Sequence, residues 1–230
     1  IISVSTETKD FNFFKDLHDR GMPIVFFDRI VDEIQTHKVI ADNFKGAYDA
    51  TSHLIKCGYK RIATLCNTVS LSIGKERLAG YKAALSDHGM EPDDSLIRYC
   101  QHGGMVTSEM DEAINDLFRL KQAPDAIFAS ADKLTTGCLR ALRARGLRVP
   151  GDVGLVGFSN SELTELLDPS LTVVKQPAFE MGEEATNLLL ELIESKRPVT
   201  DFQTRVLSTE MILRASTVTQ KLKGKQVVSR

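Results

Sequence analysis

Along most of the chain, short apolar runs alternate with longer stretches in which apolar residues return every third or fourth position. Ile1–Val4, Ile24–Phe27, Val39–Ala41, Ile62–Leu65, Ile97–Tyr99, Ala126–Ala129, Val153–Val156 and Leu171–Val174 have the length and near-continuous apolar character of buried strands. Between them, Ala47, Ala50, Leu54 and Ile55 recur at helical spacing, as do Leu78, Tyr81 and Leu85, then Ile114, Leu117 and Phe118. Leu134, Cys138, Ala141 and Leu142 mark a further helix, and Met181 to Ile193 a long one after Pro177. Strands alternating with helices in this way feed a parallel sheet, so the fold class is α/β and each apolar stripe is read as core.

The stretch Arg145–Pro177 is the most specific. Gly146 ends a helix in a left-handed C-cap, Val149–Asp152 makes a tight turn, and Val153–Val156 is a strand. Gly157-Phe158-Ser159-Asn160-Ser161 then sets small polar side chains just past the strand's carboxyl end, where open α/β sheets bind their ligands.

At 230 residues and 42% hydrophobic content the chain can bury one large or two small cores. A net charge of -2 argues against nonspecific nucleic-acid binding by this segment, so any DNA contact needs another one. No apolar run approaches the roughly 20 residues of a membrane span, and the start Ile1-Ile2-Ser3-Val4-Ser5 lacks the basic region of a signal peptide, which points to the cytoplasm. Cys57, Cys66, Cys100 and Cys138 form no Cys-x-x-Cys pair, and the five histidines share no ligand spacing, so the thiols read as structural and neither a metal nor a cofactor is expected. The basic, aperiodic end Lys221–Arg230 marks residues 217–230 as a disordered tail.

An enzymatic reading fares poorly. Gly157-Phe158-Ser159-Asn160-Ser161 lacks the final glycine of a nucleophile elbow, and no histidine follows His102. Gly74-Lys75-Glu76 lacks the upstream glycine and the hydroxyl of a phosphate loop.

Several separated segments, in order, resemble the effector-binding core of lactose/galactose-repressor-type bacterial transcription regulators. They are Pro23–Arg29, Ala41-Asp42-Asn43 with Gly46-Ala47, His53–Ile62, Arg77-Leu78-Ala79-Gly80-Tyr81, Pro124–Phe128 with Asp132, Val149–Asn160, and Asp168–Thr172 through Gln176-Pro177 and Gly182. The resemblance spans residue 1 to about Ser216 and implies a type I periplasmic-binding-protein-like fold: two Rossmann-like lobes with parallel sheets, joined by three crossover strands. Residues 43–175 would form one lobe, residues 1–42 and 176–213 part of the other, and Arg205–Leu213 would carry the last crossing. The family's helix-turn-helix headpiece, hinge helix and first βα units are not visible, so the first lobe is expected to be incomplete, with exposed sheet edge and apolar helix contacts, and the chain to be a truncated product, a split reading frame or a trimmed piece.

The same resemblance implies a small-molecule effector, sugar-like or anionic, bound between the lobes, a homodimer using the Leu134–Arg145 helix, and DNA contact only through a headpiece outside this chain. A stand-alone solute-binding protein of the same fold is the alternative. Arg77 matches the family's effector-binding arginine; its guanidinium fork suits vicinal hydroxyls, carboxylate or phosphate, whereas its bland reading is a surface arginine paired with Glu76 or Asp87. Ser159 stands where many relatives carry an aspartate, and Asp28 or Asp132 would supply the missing acceptor. Asp28, Asp132 and Gln176 line or brace the cleft by resemblance; their bland readings are an ion pair with Arg29 or Arg77, a helix N-cap, and satisfaction of crossover backbone. Asn160 is a ligand candidate that also reads as a turn residue.

Overall fold

Two sheets organise the chain in the computed structural model, which describes all residues except 6–7, 9, 68–71 and 218–230. The expected tail therefore lies, apart from Thr217, outside the described residues. In chain order the elements are α1 (Asn12–Asp19), β1 (Val25–Phe27), β2 (His37–Ala41), α2 (Asn43–Lys56), β3 (Ile62–Asn67), α3 (Ser72–Asp87), β4 (Ile97–Cys100), α4 (Thr107–Arg119) and β5 (Ala126–Ala129). Then follow α5 (Asp132–Ala144), β6 (Gly154–Phe158), α6 (Leu163–Leu166), β7 (Thr172–Lys175), α7 (Ala178–Glu194), β8 (Thr204–Leu207) and β9 (Glu210–Ile212).

The smaller half carries a three-stranded parallel sheet in the order β1-β2-β8, and the larger a six-stranded sheet in the order β4-β3-β5-β6-β7-β9. Every pair in the larger sheet is parallel except β7–β9. The α/β class with parallel-strand sheets expected from the periodicity is the observed one. The chain passes between the sheets after β2, after β7 and between β8 and β9. These passages converge at Gly46 of α2, where a side chain would press on Thr209 Oγ1, Phe158 and Val174.

Alternate residues of each strand face opposite sides, as strand geometry requires. On one side of the larger sheet Leu65, Ile127, Leu155 and Val173 pack with Ile114, Leu117, Leu134 and Leu142 of α4 and α5. On the other, Ile62, Phe128, Val156 and Phe158 pack with Leu54, Tyr81 and Leu85 of α2 and α3. In the smaller half, Val25, Val39 and Ala41 meet Met181, Ala185 and Leu188 of α7, while Ile24, Phe26 and Ile40 meet Val4, Ile30, Val31 and Ile34.

Two expectations need correction, and one element was missed. Ile1–Val4 is not a strand: only Ile2 makes an isolated parallel bridge, to Phe26, although Val4 also donates its amide to the Arg29 carbonyl at 3.1 Å. β6 runs on through Phe158, so Gly157 and Phe158 are strand rather than loop, and the polar rim starts at Ser159. Helix α1, amphipathic and with no fully buried residue, was not anticipated. Gly146 does end α5 in the left-handed region, at φ 73°. The smaller half leaves Phe13, Phe179 and Val206 exposed.

Helices α2 and α3 touch most closely at Gly80, where a Cβ would run into the backbone carbonyl of Phe44 and crowd the Tyr48 amide. Gly80→Ala must therefore separate two helices that are fixed to the sheet, because the obstacle is backbone rather than a flexible side chain. The expected cost is about 1–3 kcal/mol, read by urea denaturation; an unchanged midpoint would mean that α2 and α3 are less tightly apposed.

Candidate functional site

All strands of the larger sheet but β9 end at one rim, since they are parallel, and the order of the sheet reverses between β3 and β5. At such a switch point the connecting loops diverge and leave a crevice. Helix α3 follows β3 in the chain, next to this switch point. Tyr81 pins α3 to the sheet by donating from its hydroxyl to the Ile62 carbonyl at 2.7 Å. With Gly80 setting the contact to α2, Arg77, one turn earlier, comes to lie beside Asn43 at the start of α2.

Arg77 is buried, 5% exposed, and the expected alternative of a surface arginine paired with Glu76 or Asp87 does not hold. Its Nε donates to Asn43 Oδ1 at 2.9 Å and its Nη1 to the Ser130 carbonyl, at the end of β5, at 2.6 Å. The guanidinium carbon lies 3.5 Å from the centroid of the Phe158 ring, a cation–π seat at the end of β6. Nη2 is buried and has no hydrogen-bond partner among the described residues. Burial pushes the guanidinium down to about 10, against the opposing pull of the Asp28 and Glu76 carboxylates. It is still a cation at neutral pH, with a donor unspent.

Asp28 follows β1 and adopts φ 61°, a left-handed conformation that aspartate tolerates better than most residues. Its amide is held by the Val39 carbonyl at 2.9 Å. The carboxylate accepts from Gln176 Nε2 at 2.9 Å and stands 3.6 Å from Arg29 Nε. The Asp28–Gln176 bond ties the residue after β1 to the passage that follows β7, so the Gln176 side chain does more than satisfy crossover backbone. That backbone is instead clasped by Asn160, whose amide donates to the Gln176 carbonyl and accepts from the Gln176 amide, both at 2.8 Å. Asn160 thus ties the ends of β6 and β7 rather than shaping a turn.

Ser159 is buried, and its hydroxyl donates to Asp132 Oδ1 and accepts from the Ser161 amide at 3.1 Å. Asp132 is the first residue of α5 and not its N-cap, a position held by Ala131 without a side-chain bond. Its carboxylate stands beside Ser159 as an acceptor carried by the neighbouring helix.

Sequence reasoning did not single out Asn43, Glu76, Ser130 or Phe158 as site residues. Asn43 and Glu76 are coupled, since Asn43 Nδ2 donates to Glu76 Oε2 at 3.1 Å. The signal for Ser130 was its place immediately after the strand Ala126–Ala129. Asn67, the last residue of β3, also has a buried Oδ1 without a hydrogen-bond partner among the described residues. No group of three or more histidine, cysteine or acidic residues could hold a metal among the described residues, and none of their helices is long and apolar enough to cross a membrane.

Comparison with known proteins agrees with this architecture. A family model described as a periplasmic binding protein-like domain matches residues 51–217. The chain belongs to the periplasmic binding protein-like domain family. Among similar members is the HTH-type transcriptional regulator CelR of Thermobifida fusca, 38% identical over 204 residues, which are 87% of this chain and 58% of the relative. A solved complex of the transcriptional regulator CelR with cellobiose has a TM-score of 0.78 and 36% identity, covering 90% of this chain and 62% of that one. A sugar-binding transcriptional regulator of the LacI family from Escherichia coli, complexed with phosphate, has a TM-score of 0.77 and 27% identity, covering 94% and 75%. The expected likeness to lactose-repressor-type regulators is thus found, and this periplasmic binding protein-like chain spans little more than half the length of the curated relative.

Burial pushes the Glu76 carboxyl up; Asp32 and Asp42 add to this, while Asn43 and Arg77 oppose it. An acid whose value is raised on folding favours the folded state below the ordinary carboxylate range and loses that contribution as pH rises through the raised value. Glu76→Gln keeps an acceptor for Asn43 and removes the charge. The variant is expected to be the more stable protein at neutral pH, with the difference vanishing on acidification, as measured by urea denaturation across pH. A constant difference at all pH values would contradict the assignment.

Proposed function

We propose that this chain is the ligand-sensing core of a bacterial DNA-binding transcription regulator and that it binds a neutral, sugar-like effector at the rim between its two halves. The observation that carries this reading is the buried guanidinium of Arg77 with Nη2 unpaired. A buried donor without an acceptor costs about 1–3 kcal/mol, a cost that a ligand oxygen relieves. The charge balance favours hydroxyl over anion: the Asp28 and Glu76 carboxylates already act on Arg77, and Asp132 adds another acceptor beside Ser159. Sugar hydroxyls both accept from a guanidinium and donate to carboxylates, whereas an anionic metabolite satisfies only the first. The cellobiose complex of the similar CelR points the same way.

The relatives named above are regulators, which favours a sensing core over a stand-alone solute-binding protein. Arg77, Asp28, Asp132 and Ser159 are the contacts of choice for the effector, with Gln176 and Asn160 bracing the passage between the halves. Sensing follows from differential affinity: the ligand stabilises one arrangement of the halves and shifts the population toward it. In a cytoplasmic homodimer this changes the spacing of headpieces supplied by a segment outside this chain, and these make the DNA contact. No covalent chemistry is required.

Isothermal titration of the chain with cellobiose, other neutral sugars and inorganic phosphate tests the reading. A neutral sugar is expected to bind, and Arg77→Met, which keeps the stem over Phe158 but removes the donors, is expected to weaken it by roughly 10- to 150-fold, the worth of a charged hydrogen bond. Undiminished sugar binding by a folded Arg77→Met, or binding of phosphate alone, would overturn it.

A further inference from the structure

Helix α3 belongs to the larger half, where Tyr81 and Leu85 are built into the core against the sheet. Its first turn departs from that allegiance. Ile73 packs against the apolar cluster of the smaller half, made of Val4, Ile24, Phe26, Ile30, Val31, Ile34 and Ile40. Three of these, Ile30, Val31 and Ile34, come from the segment between β1 and β2 and are almost fully buried. Ile73, Glu76 and Arg77 are spaced i, i+3, i+4 and therefore share one helical face. Each meets the smaller half by a different force: Ile73 by apolar contact, Glu76 by repulsion from Asp32, and Arg77 by attraction to Asp28.

We infer that Ile73 is an apolar latch between the halves, a positioning residue whose seat in the smaller half's cluster holds the arrangement that buries the free donor of Arg77. The residues that grip Arg77 directly, Asn43, Ser130 and Phe158, lie after the first passage between the sheets and move with the larger half. Withdrawal of the smaller half leaves those contacts intact, takes away the seat of Ile73 and admits water to Nη2. The geometry needs an apolar residue here because the seat is lined by aliphatic and aromatic carbon. The inference goes beyond the proposed effector and does not depend on its identity, so the two stand or fall separately.

The test uses the ligand-free chain, comparing Ile73→Ser, Ile73→Ala and Ile73→Val with the parent by small-angle scattering and hydrogen exchange. Removing the apolar contact is expected to enlarge the radius of gyration and to speed exchange of the Ile30–Ile34 amides roughly tenfold or more. The amides of β3 and β5 keep their protection, the effect grades from alanine to serine, and valine restores parental behaviour. If serine unfolds the chain, the alanine variant supplies the same readouts. Unchanged scattering and exchange in the alanine and serine variants, or faster exchange spread evenly over both halves, would overturn the latch; the even spread would mark Ile73 as an ordinary core residue.

Discussion

The structure turns on one buried guanidinium. Placing the charge of Arg77 out of water is costly, and a protein tolerates it only where hydrogen bonds and counter-charge offset the lost hydration. Asn43, the Ser130 carbonyl and the face of Phe158 contribute contacts to that offset, and the Asp28 and Glu76 carboxylates contribute the opposite charge. They leave Nη2 unpaired. A guanidinium fork fixed at two of its nitrogens presents the third in a set direction, which is what recognition of a specific hydroxyl requires.

The rest of the fold can be understood as holding this group. The parallel sheet brings the ends of β3, β5, β6 and β7 to one rim, and the glycine at position 80 draws α2 and α3 together so that Asn43 reaches Arg77. The smaller half contributes Asp28 from a left-handed backbone position and ties it to Gln176 in the passage after β7. The Ser159–Asp132 and Asn160–Gln176 pairs stiffen the same rim. On the proposed reading, a ligand bound there would touch both halves, and its binding energy would act on their relative arrangement.

Much of this was legible in the chain, and the gaps have physical reasons. Buried parallel strands such as Ile62–Asn67 and Ala126–Ala129 announce themselves as apolar runs because both faces are covered. Ile1–Val4 carries the same composition, yet finds a partner only at Ile2, since pairing is decided by neighbours and not by propensity. Helix α1 escaped because its apolar residues cover one side of the smaller half without being fully buried. At the site, the strand-end positions of Ser159 and Asn160 could be read, and the resemblance singled out Arg77. What surrounds Arg77 could not be read: Asn43 and Ser130 lie 34 and 53 residues away, and only the folded topology brings them together. For the same reason Asp132 could be read equally as a cleft residue or a helix cap, since its partner Ser159 is 27 residues distant.

The most direct test is a crystal structure of the protein soaked with the neutral sugar that titration selects. The account predicts a sugar hydroxyl within hydrogen-bonding distance of Arg77 Nη2, at the rim between β3 and β5, with Asn43 and Ser130 still holding the other nitrogens. A sugar bound elsewhere, with Nη2 unpaired or bonded only to the protein, would contradict it.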